Sequence, residues 1–166
     1  MIELVAGRAA LERTGGAAIA ALTVAAVGST YVADWMGPEE HAAIGRVVDL
    51  SGPSCRAAAA SPDQYFAAAF LDGAFAGFVI ATLHARDDRE LDWLMVHPDF
   101  HGAGVGAALM ETGMSWLGTD RPMWLNVVRH NGRAIRFYQR FGFEIDPATD
   151  LDRAIPVYVM RRPPSN

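Results

Sequence analysis

The segment "HPDFHGAGVGAALM", His97 to Met110, joins a glycine-rich turn to the start of a helix-like pattern. Gly102, Gly104 and Gly106 fall within five residues, directly before apolar residues at helical spacing. Glycines let backbone N–H groups converge, and the first N–H groups of a helix have no partner within the helix. Because the helix dipole also favours negative charge there, the segment predicts a site for an anion such as pyrophosphate.

The chain has 166 residues and no lysine, so all 14 of its basic residues are arginine. A phosphate loop with its lysine is therefore excluded, as is a Schiff base between a lysine and a pyridoxal cofactor. The backbone would have to supply the donors to the anion. The formal net charge of -5 and the lack of a basic block argue against nucleic acid as a partner. That charge mildly favours a cationic substrate.

The same turn contains G-x-G-x-x-A, at Gly102, Gly104 and Ala107, which loosely fits a dinucleotide-binding fingerprint. In that fingerprint the turn directly follows a strand, begins a parallel βαβ unit, and is followed about 20 residues later by an acid. Here Pro98 to Phe100 intervene, and the position of the acid falls in Trp124–Asn126. A nicotinamide-dependent oxidoreductase is therefore disfavoured.

A longer motif surrounds the turn. The stretch "LMVHPDFHGAGVG" resembles the coenzyme A motif of the GNAT superfamily of N-acetyltransferases, L-x-V-x-P-x-x-[QR]-x-x-G-x-[GA]. The matching positions are Leu94, Val96, Pro98, Gly104 and Gly106. His101 stands where Gln or Arg is usual, which either weakens a pyrophosphate contact or supplies a polar contact that depends on pH.

A second motif follows in the expected order. The stretch "NGRAIRFYQRFGF" is similar to N-x-x-A-x-x-x-Y-x-x-x-G-F of the same superfamily, with matches at Asn131, Ala134, Tyr138, Gly142 and Phe143. The resemblance covers about Gln64 to Phe143. It implies an α+β fold with a mixed, mostly antiparallel central sheet, helices on both faces, and a splayed strand pair that forms a slot for coenzyme A.

The resemblance also implies which residues hold the coenzyme. The strand Glu90–Val96 would bend away from the strand Met123–Val128, and pantetheine would enter the gap and pair with the main chain. Pyrophosphate would lie on the amides of the glycine turn, and the second motif would line the pantetheine side. The implied binding residues are Leu94, Met95, Val96, His101, Gly102, Ala103, Gly104, Val105, Gly106, Asn131, Ala134 and Phe137.

The activity implied is an acetyl-CoA-dependent N-acetyltransferase that moves the acetyl group directly to a primary amine. Tyr138 matches the tyrosine that protonates the leaving thiolate, and its alternative is a tyrosine packed in the core. Glu90 matches, by spacing, a glutamate used as a base, and its alternative is a solvated charge at a strand end. His84, Asp92 and water are rival bases. Period-two alternation would put Glu90, Asp92, Leu94 and Val96 on one face of the strand.

An alternative of another class is a GNAT-like module that binds coenzyme A and transfers nothing. The expected partners are acetyl-CoA and an amine, with no metal, no nucleic acid and no membrane, and the sequence leaves a homodimer open. Cys55 is the single cysteine, so an internal disulfide is excluded and a reducing, cytoplasmic location is expected. We expect its thiol to be structural, because no activating histidine is near it in the sequence.

Turn signals and hydrophobic spacing indicate the elements that position these residues. Asp72-Gly73 is a hairpin signal and Asp87–Arg89 a second polar break, so three strands are expected in an antiparallel meander. The predicted strands are Met1–Val5, Gln64–Leu71, Ala74–Ala85, Glu90–Val96, Met123–Val128, Phe143–Ile145 and Val157–Arg161. Helices are expected through about Val27, from Pro38 to about Leu50, from the glycine turn to near Gly118, and over Asn131–Gly142, with a loop at Ser51–Ser54.

The stretch Gly15 to Ala33 carries no charge, which makes a signal peptide or a membrane span an alternative to be weighed. Small residues dominate the stretch, so its insertion into a membrane would be only weakly favourable. Glu3 and Glu12 do not fit the basic start of a signal peptide. A buried, alanine-rich helix is expected instead. We see no domain boundary, so residues 1–166 are expected to form a single N-acetyltransferase domain.

Overall fold

Seven strands and five α-helices make up the part of the chain that the computed structural model describes, residues 1–149, 151 and 153–165. The strands are β1 (Ile2–Ala6), β2 (Gln64–Leu71), β3 (Ala74–Ala85), β4 (Asp88–Val96), β5 (Met123–Val128), β6 (Glu144–Ile145) and β7 (Val157–Arg162). The helices are α1 (Gly7–Thr14), α2 (Gly16–Thr30), α3 (Pro38–Ala60), α4 (Val105–Leu117) and α5 (Gly132–Gln139).

The strands form one sheet in the order β1-β2-β3-β4-β5-β7-β6, and every neighbouring pair is antiparallel except β4 with β5. The meander predicted from the turn signals is present as β2, β3 and β4. Asp72 and Gly73 have φ angles of 50° and 84°, as a two-residue hairpin turn of the primed type requires. The predicted mixed, mostly antiparallel sheet is confirmed.

The sheet separates two apolar cores. Helices α1, α2 and α3 cover one face, where Ile19, Phe66 and Phe78 are fully buried. Helix α4 covers the other face, where Leu109 and Met160 are fully buried. Both faces of the sheet are therefore needed for folding, which explains why β2 and β3 are apolar almost throughout instead of alternating.

The uncharged N-terminal stretch forms helix α2, which buries Ile19, Leu22 and Val27 against the sheet. Gly15 has a φ of 77°, a value that favours glycine, and it separates α2 from α1. No single helix among the described residues is long and apolar enough to cross a membrane. The pair α1 and α2 meets that criterion together, but the two helices are bent by 83° relative to each other.

The loop predicted at Ser51–Ser54 is wrong, because α3 continues through it to Ala60. Pro53 lies inside this helix. Ser51 Oγ donates a hydrogen bond to the Val48 carbonyl at 2.7 Å, and a Cβ on Gly52 would lie 3.6 Å from the Gly16 carbonyl oxygen. Close packing of α3 against α2 thus outweighs the local preference of proline and glycine to end a helix.

A bulge in β4 changes which residues share a face. Ile80 pairs with Trp93 and Ala81 pairs with Leu91, so Asp92 has no partner in β3. After the bulge, Trp93 packs in the core beneath α1–α3, whereas Leu94 packs with Leu91 on the α4 side. The prediction that Glu90, Asp92, Leu94 and Val96 share one face is therefore wrong, since strict alternation does not survive an extra residue.

Two strands and a helix meet closely at Gly77 in β3. A Cβ built there would lie 2.6 Å from the Met95 carbonyl oxygen and 3.0 Å from Leu109 Cδ1. The first of these atoms is backbone and cannot move aside cheaply. The lack of a side chain at Gly77 therefore lets β4 and α4 pack directly against β3. Strand β4 also lines the candidate site described below.

We expect Gly77→Ala to lower the free energy of unfolding by about 1–3 kcal/mol, as overpacking does. Gly45→Ala is the matched control, because Gly45 lies exposed in α3 with no atom within 4 Å of its would-be Cβ. That control should gain about 0.5–1 kcal/mol from helix propensity. Urea unfolding of both variants measures the difference, and equal stability of Gly77→Ala and the parent chain would contradict the close approach.

Candidate active site

The strands β4 and β5 meet at one pair of residues only. Glu90 pairs with Trp124 in parallel, and no further pair joins the two strands. Strand β5 instead pairs with β7 along its whole length, from Met123 to Val128. A cavity of about 1000 Å³, which we call the slot, opens where β4 and β5 diverge. Its walls include β4 (Leu94, Met95, Val96), β5 (Asn126, Val127, Val128), the glycine turn and one face of α5.

The glycine turn forms one end of the slot. Gly102 and Gly104 have φ angles of 81° and 86°, in the left-handed region that favours glycine. They redirect the chain into α4, whose first N–H groups have no acceptor within the helix. A Cβ on Gly106 would lie 3.6 Å from the Phe137 ring, inside the slot. Backbone donors and a helix dipole therefore face the same space.

Arginines supply positive charge beside the turn. Arg133 and Arg136 lie on α5 and Arg140 is its C-cap; all three, which we call the arginines of α5, line the slot. Arg133 Nη1 donates a hydrogen bond to His101 Nδ1 at 2.8 Å. Burial and the Arg133 charge lower the pKa of His101, against a smaller opposite effect of the Val96 carbonyl. At neutral pH the His101 ring is thus uncharged and holds the guanidinium of Arg133 at the slot.

Helix α5 presents its start and its middle to the slot. Asn131 Oδ1 caps the helix by accepting a hydrogen bond from the Ala134 amide at 3.1 Å. Tyr138 lies two turns further along, packed edge-on against Phe137 and Phe143. Burial, together with the nearby Tyr31, raises the pKa of Tyr138. The phenol therefore keeps its proton at neutral pH, the state that a general acid needs.

A second cavity, of about 460 Å³, lies beside the slot, and we call it the side pocket. Its floor comes from β4 and β5, and its wall from α3 and the segment before β7. Four residues line both cavities: Tyr31, Met95, Asn126 and Val128. Asn126 Oδ1 is buried and has no hydrogen-bond partner among the described residues. The two cavities therefore meet at this junction, where a polar atom still lacks a partner.

Two acids face the side pocket from β4, Glu90 and the bulged Asp92. Glu90 is only 8% exposed, and its Oε2 lies 2.8 Å from His84 Nε2. Burial raises the pKa of Glu90, followed by the effect of Asp92, and these outweigh the opposite effect of the His84 hydrogen bond. That same hydrogen bond raises the pKa of His84. The pair can take up a proton inside the pocket and pass it toward solvent through the exposed imidazole.

Asp92 and Tyr31 complete the surroundings of this pair. Thr82 Oγ1 donates to Asp92 Oδ2 at 3.2 Å, and burial raises the pKa of Asp92. Tyr31 ends α2, and burial raises the pKa of its phenol. His130 Nε2 donates to the Tyr31 carbonyl at 2.7 Å, which ties the end of α2 to the loop after β5.

A family model described as "Acetyltransferase (GNAT) family" matches residues 29–143, a range that includes the glycine turn, β4, β5 and α5. The chain belongs to the GNAT family. The splayed strands and the helices on both faces fit this assignment, as do both sequence motifs. The relation predicted from the residues is confirmed.

Curated relatives of this GNAT chain match it over part of its length. An uncharacterised N-acetyltransferase of Mycobacterium bovis is 43% identical over 81 residues, which cover 45% of this chain and 49% of the relative. The peptidyl-lysine N-acetyltransferase YjaB of Escherichia coli is 31% identical over 64 residues, 39% of this chain and 42% of that protein. The chain thus spans about half the length of the curated relatives it matches.

Solved structures resemble the chain over its full length. The PaiA N-acetyltransferase from Thermoplasma acidophilum, in complex with coenzyme A, has a TM-score of 0.76 at 19% identity, over 98% of this chain and 99% of that one. The ribosomal-protein-S18-alanine N-acetyltransferase from Escherichia coli has a TM-score of 0.62 at 19% identity, over 100% and 96%. At such identities the likeness shows the GNAT fold.

Most of the residues predicted to bind coenzyme line the slot of this GNAT fold. Ala103 and Val105 do not: the Val105 side chain, at the start of α4, is buried in the core on that face of the sheet, so only its backbone remains available to a ligand. Glu90 lies in the side pocket and not in the slot, and its burial excludes the solvated strand end weighed as its alternative. Cys55 is buried, which raises its pKa to about 12, as expected of a structural thiol.

Sequence reasoning missed several residues of the site. Tyr31 and Asn126 lie outside both motifs, and only the fold brings them to the junction. Alternation along β5 could have put Asn126 on the same face as Trp124 and Val128, although not against a cavity. The arginines of α5 carried a signal, since their spacing of three and four residues places them on one side of a helix.

Proposed function

We propose that this GNAT chain is an acetyl-CoA-dependent N-acetyltransferase that moves the acetyl group directly to a primary amine. The observation that carries the proposal is the junction between the slot and the side pocket. A thioester reaching this point from the slot would meet an amine reaching it from the side pocket. Holding two reactants at one place in attack geometry supplies much of the rate of such a transfer.

Coenzyme A fits the chemistry of the slot. The backbone donors of the glycine turn and the arginines of α5 suit its phosphates, and Arg133 is already positioned by His101 at 2.8 Å. The edge of β4 at Leu94–Val96 has no strand beside it toward β5, so the amide groups of pantetheine could pair there as a strand would. The main chain of Ala103 and Val105 would contribute amides only.

The reaction needs two proton transfers. In our proposal Glu90 takes a proton from the ammonium and passes it on through His84, so the amine nitrogen can attack the thioester carbon. A C–N bond forms, the C–S bond breaks, and Tyr138 donates a proton to the leaving sulfur. The proton that the new amide nitrogen loses then restores Tyr138. No acyl-enzyme forms, in keeping with Cys55 being buried away from both cavities.

A GNAT-like module that only binds coenzyme A remains the alternative to test. Such a module has no need of a second cavity that opens onto the end of the slot. The side pocket, with a buried carboxylate and an unsatisfied amide oxygen at its junction with the slot, therefore supports the transferase.

Gly106→Glu should abolish coenzyme A binding while the protein still folds. Glutamate favours a helix more than glycine does, but its side chain would enter the slot beside Phe137 and repel the phosphates. In the parent chain, coenzyme A at 100 times its dissociation constant should stabilise the fold by about 2.7 kcal/mol. Thermal unfolding with and without the ligand measures both effects.

Gly28→Glu is the control for that variant, because Gly28 is exposed on α2 with no atom within 4 Å of its would-be Cβ. It should keep the full shift with coenzyme A. A folded Gly106→Glu protein that binds coenzyme A as tightly as the parent would place the anion site elsewhere.

Glu90→Gln should reduce turnover by about 10²–10⁴, the range for losing a general base. The parent rate should fall as pH drops through the raised pKa of Glu90, because the protonated carboxyl cannot accept a proton. The variant should acetylate only amine molecules that are already uncharged in solution. Its rate deficit relative to the parent should therefore shrink as pH rises toward the pKa of the amine. Rates measured with one amine from about pH 5 to about pH 10 test this dependence.

Asp92→Asn is the matched variant on the same strand. It should keep the fall in rate at low pH but move it to lower pH, because Asp92 helps to raise the pKa of Glu90. If Asp92→Asn removes that fall and Glu90→Gln does not, Asp92 is the base. A weaker but similar change in His84→Gln is expected, since His84 acts through its 2.8 Å contact with Glu90.

Tyr138→Phe should lower turnover by about 10²–10⁴, toward the smaller value because a thiolate leaves tolerably without help. Coenzyme A affinity should change little, since the ring and its contacts with Phe137 and Phe143 stay. Tyr65→Phe is the control: its hydroxyl contacts Thr112 at 2.9 Å, outside both cavities. Acetyl transfer and coenzyme A affinity are measured on the same preparations, and full activity of Tyr138→Phe would leave Tyr138 a packing residue.

A further inference from the structure

The side pocket carries charges of both signs on different walls. Glu90 and Asp92 come from β4, whereas Arg46 comes from α3 and Arg153 from the segment before β7. Neither arginine forms an ion pair or a hydrogen bond with the described residues. No arginine is among the groups that shift the pKa of Glu90. The acids and the arginines are thus held apart: Glu90 contacts His84, and neither arginine has an acidic partner among the described residues.

The acidic wall lies on β4, beside the strand that carries Asn126: Glu90 pairs with Trp124, two residues before Asn126. Asn126 Oδ1 is the buried oxygen that has no donor there, and such an atom costs free energy until an N–H group reaches it. An amine held beside Glu90 could supply that N–H group. The reactive end of the substrate is therefore expected at Asn126, next to Tyr31 and Met95, which both cavities share.

The arginine wall suits an anion. A guanidinium offers planar, paired donors that match a carboxylate, and it never loses its charge at physiological pH. The rest of the lining is mostly apolar, with Val47, Trp93 and Ile155 among the residues. A volume of about 460 Å³ is in the range of pockets for small ligands.

We propose that the side pocket selects a small primary amine joined through an apolar segment to a carboxylate, with the amine at Asn126 and Glu90 and the carboxylate at Arg46 and Arg153. This inference rests on the proposed function, because it names the class of amine that the transferase would use. A substrate with positive charge at both ends would set a cation against the arginines. The free molecule and the end of a short peptide share the required chemistry.

The test compares matched amines that differ only in the remote group. One arm is a series of ω-amino carboxylates of increasing length, each with its primary amide and the diamine of the same length. The other arm is a set of apolar dipeptides with free or amidated C-termini. Binding to the protein saturated with coenzyme A is measured by calorimetry, and kcat and KM with acetyl-CoA are measured for the same compounds. The first arm represents free molecules and the second represents peptide ends.

In at least one arm the best carboxylate should bind about tenfold more tightly than its amide and, among the ω-amino carboxylates, than its diamine. A tenfold difference is the effect of one hydrogen bond to a charged group. Arg46→Gln should remove that preference, raising KM for the carboxylate about tenfold with kcat little changed, since the contact is remote from the reacting carbon. Its effect on the amide should stay within about twofold. Arg153→Gln should act in the same direction.

Arg8→Gln is the control for a lost arginine, because Arg8 is exposed on α1 and its one ion pair among the described residues is with Glu12 in the same helix. It should leave both compounds unaffected. The inference is overturned if amides or diamines bind as well as carboxylates throughout both arms, or if Arg46→Gln weakens acid and amide equally. Binding that prefers carboxylates without any acetyl transfer would support the pocket assignment and defeat the transferase. Acetyl transfer without any preference for carboxylates would support the transferase and defeat the pocket assignment.

Discussion

Only one residue pair, Glu90 with Trp124, joins β4 to β5, and the site depends on this constraint. Strand β5 is committed to β7 over all of Met123–Val128, and β4 is committed to β3 as far as Val96. Beyond Glu90 the facing edge of β4 has no strand beside it. Main-chain groups at such an edge need another partner, so the slot suits an extended ligand with its own amide groups.

The same divergence determines where the proposed transfer would take place. Because the strands separate immediately after Glu90, the acid lies at the closed end of the gap, and Tyr138 approaches from α5 on the other side. The bulge at Asp92 turns Trp93 and Met95 toward the side pocket, which they line together with Glu90 and Asp92. Burial raises the pKa of both acids, because it disfavours their charged forms.

The anion end of the slot is built without lysine. Arginine charge does not vary over the physiological range, and a neutral His101 accepts from Arg133 instead of repelling it. His101 thus takes the position where the family motif has Gln or Arg, and an arginine from α5 brings the charge to its side. Of the two effects first considered for His101, a weaker phosphate contact or a contact that depends on pH, this arrangement favours a contact made through Arg133.

The sequence by itself determined the strands from Gln64 to Val96, the glycine turn, the start of α5 and the family, because these rest on local backbone geometry. Asp72-Gly73 favours a hairpin turn, glycine at position 104 permits a positive φ, and Asn131 favours a helix cap, whatever lies around them. The tertiary structure decided what depends on distant neighbours. Helix α3 passes through Pro53 because Gly52 packs against α2, and β4 changes face because of a bulge that only its pairing with β3 reveals. Tyr31 and Asn126 meet at one junction although they are far apart in the chain, since the convergence of α2 and β5 arises from core packing that no local pattern records.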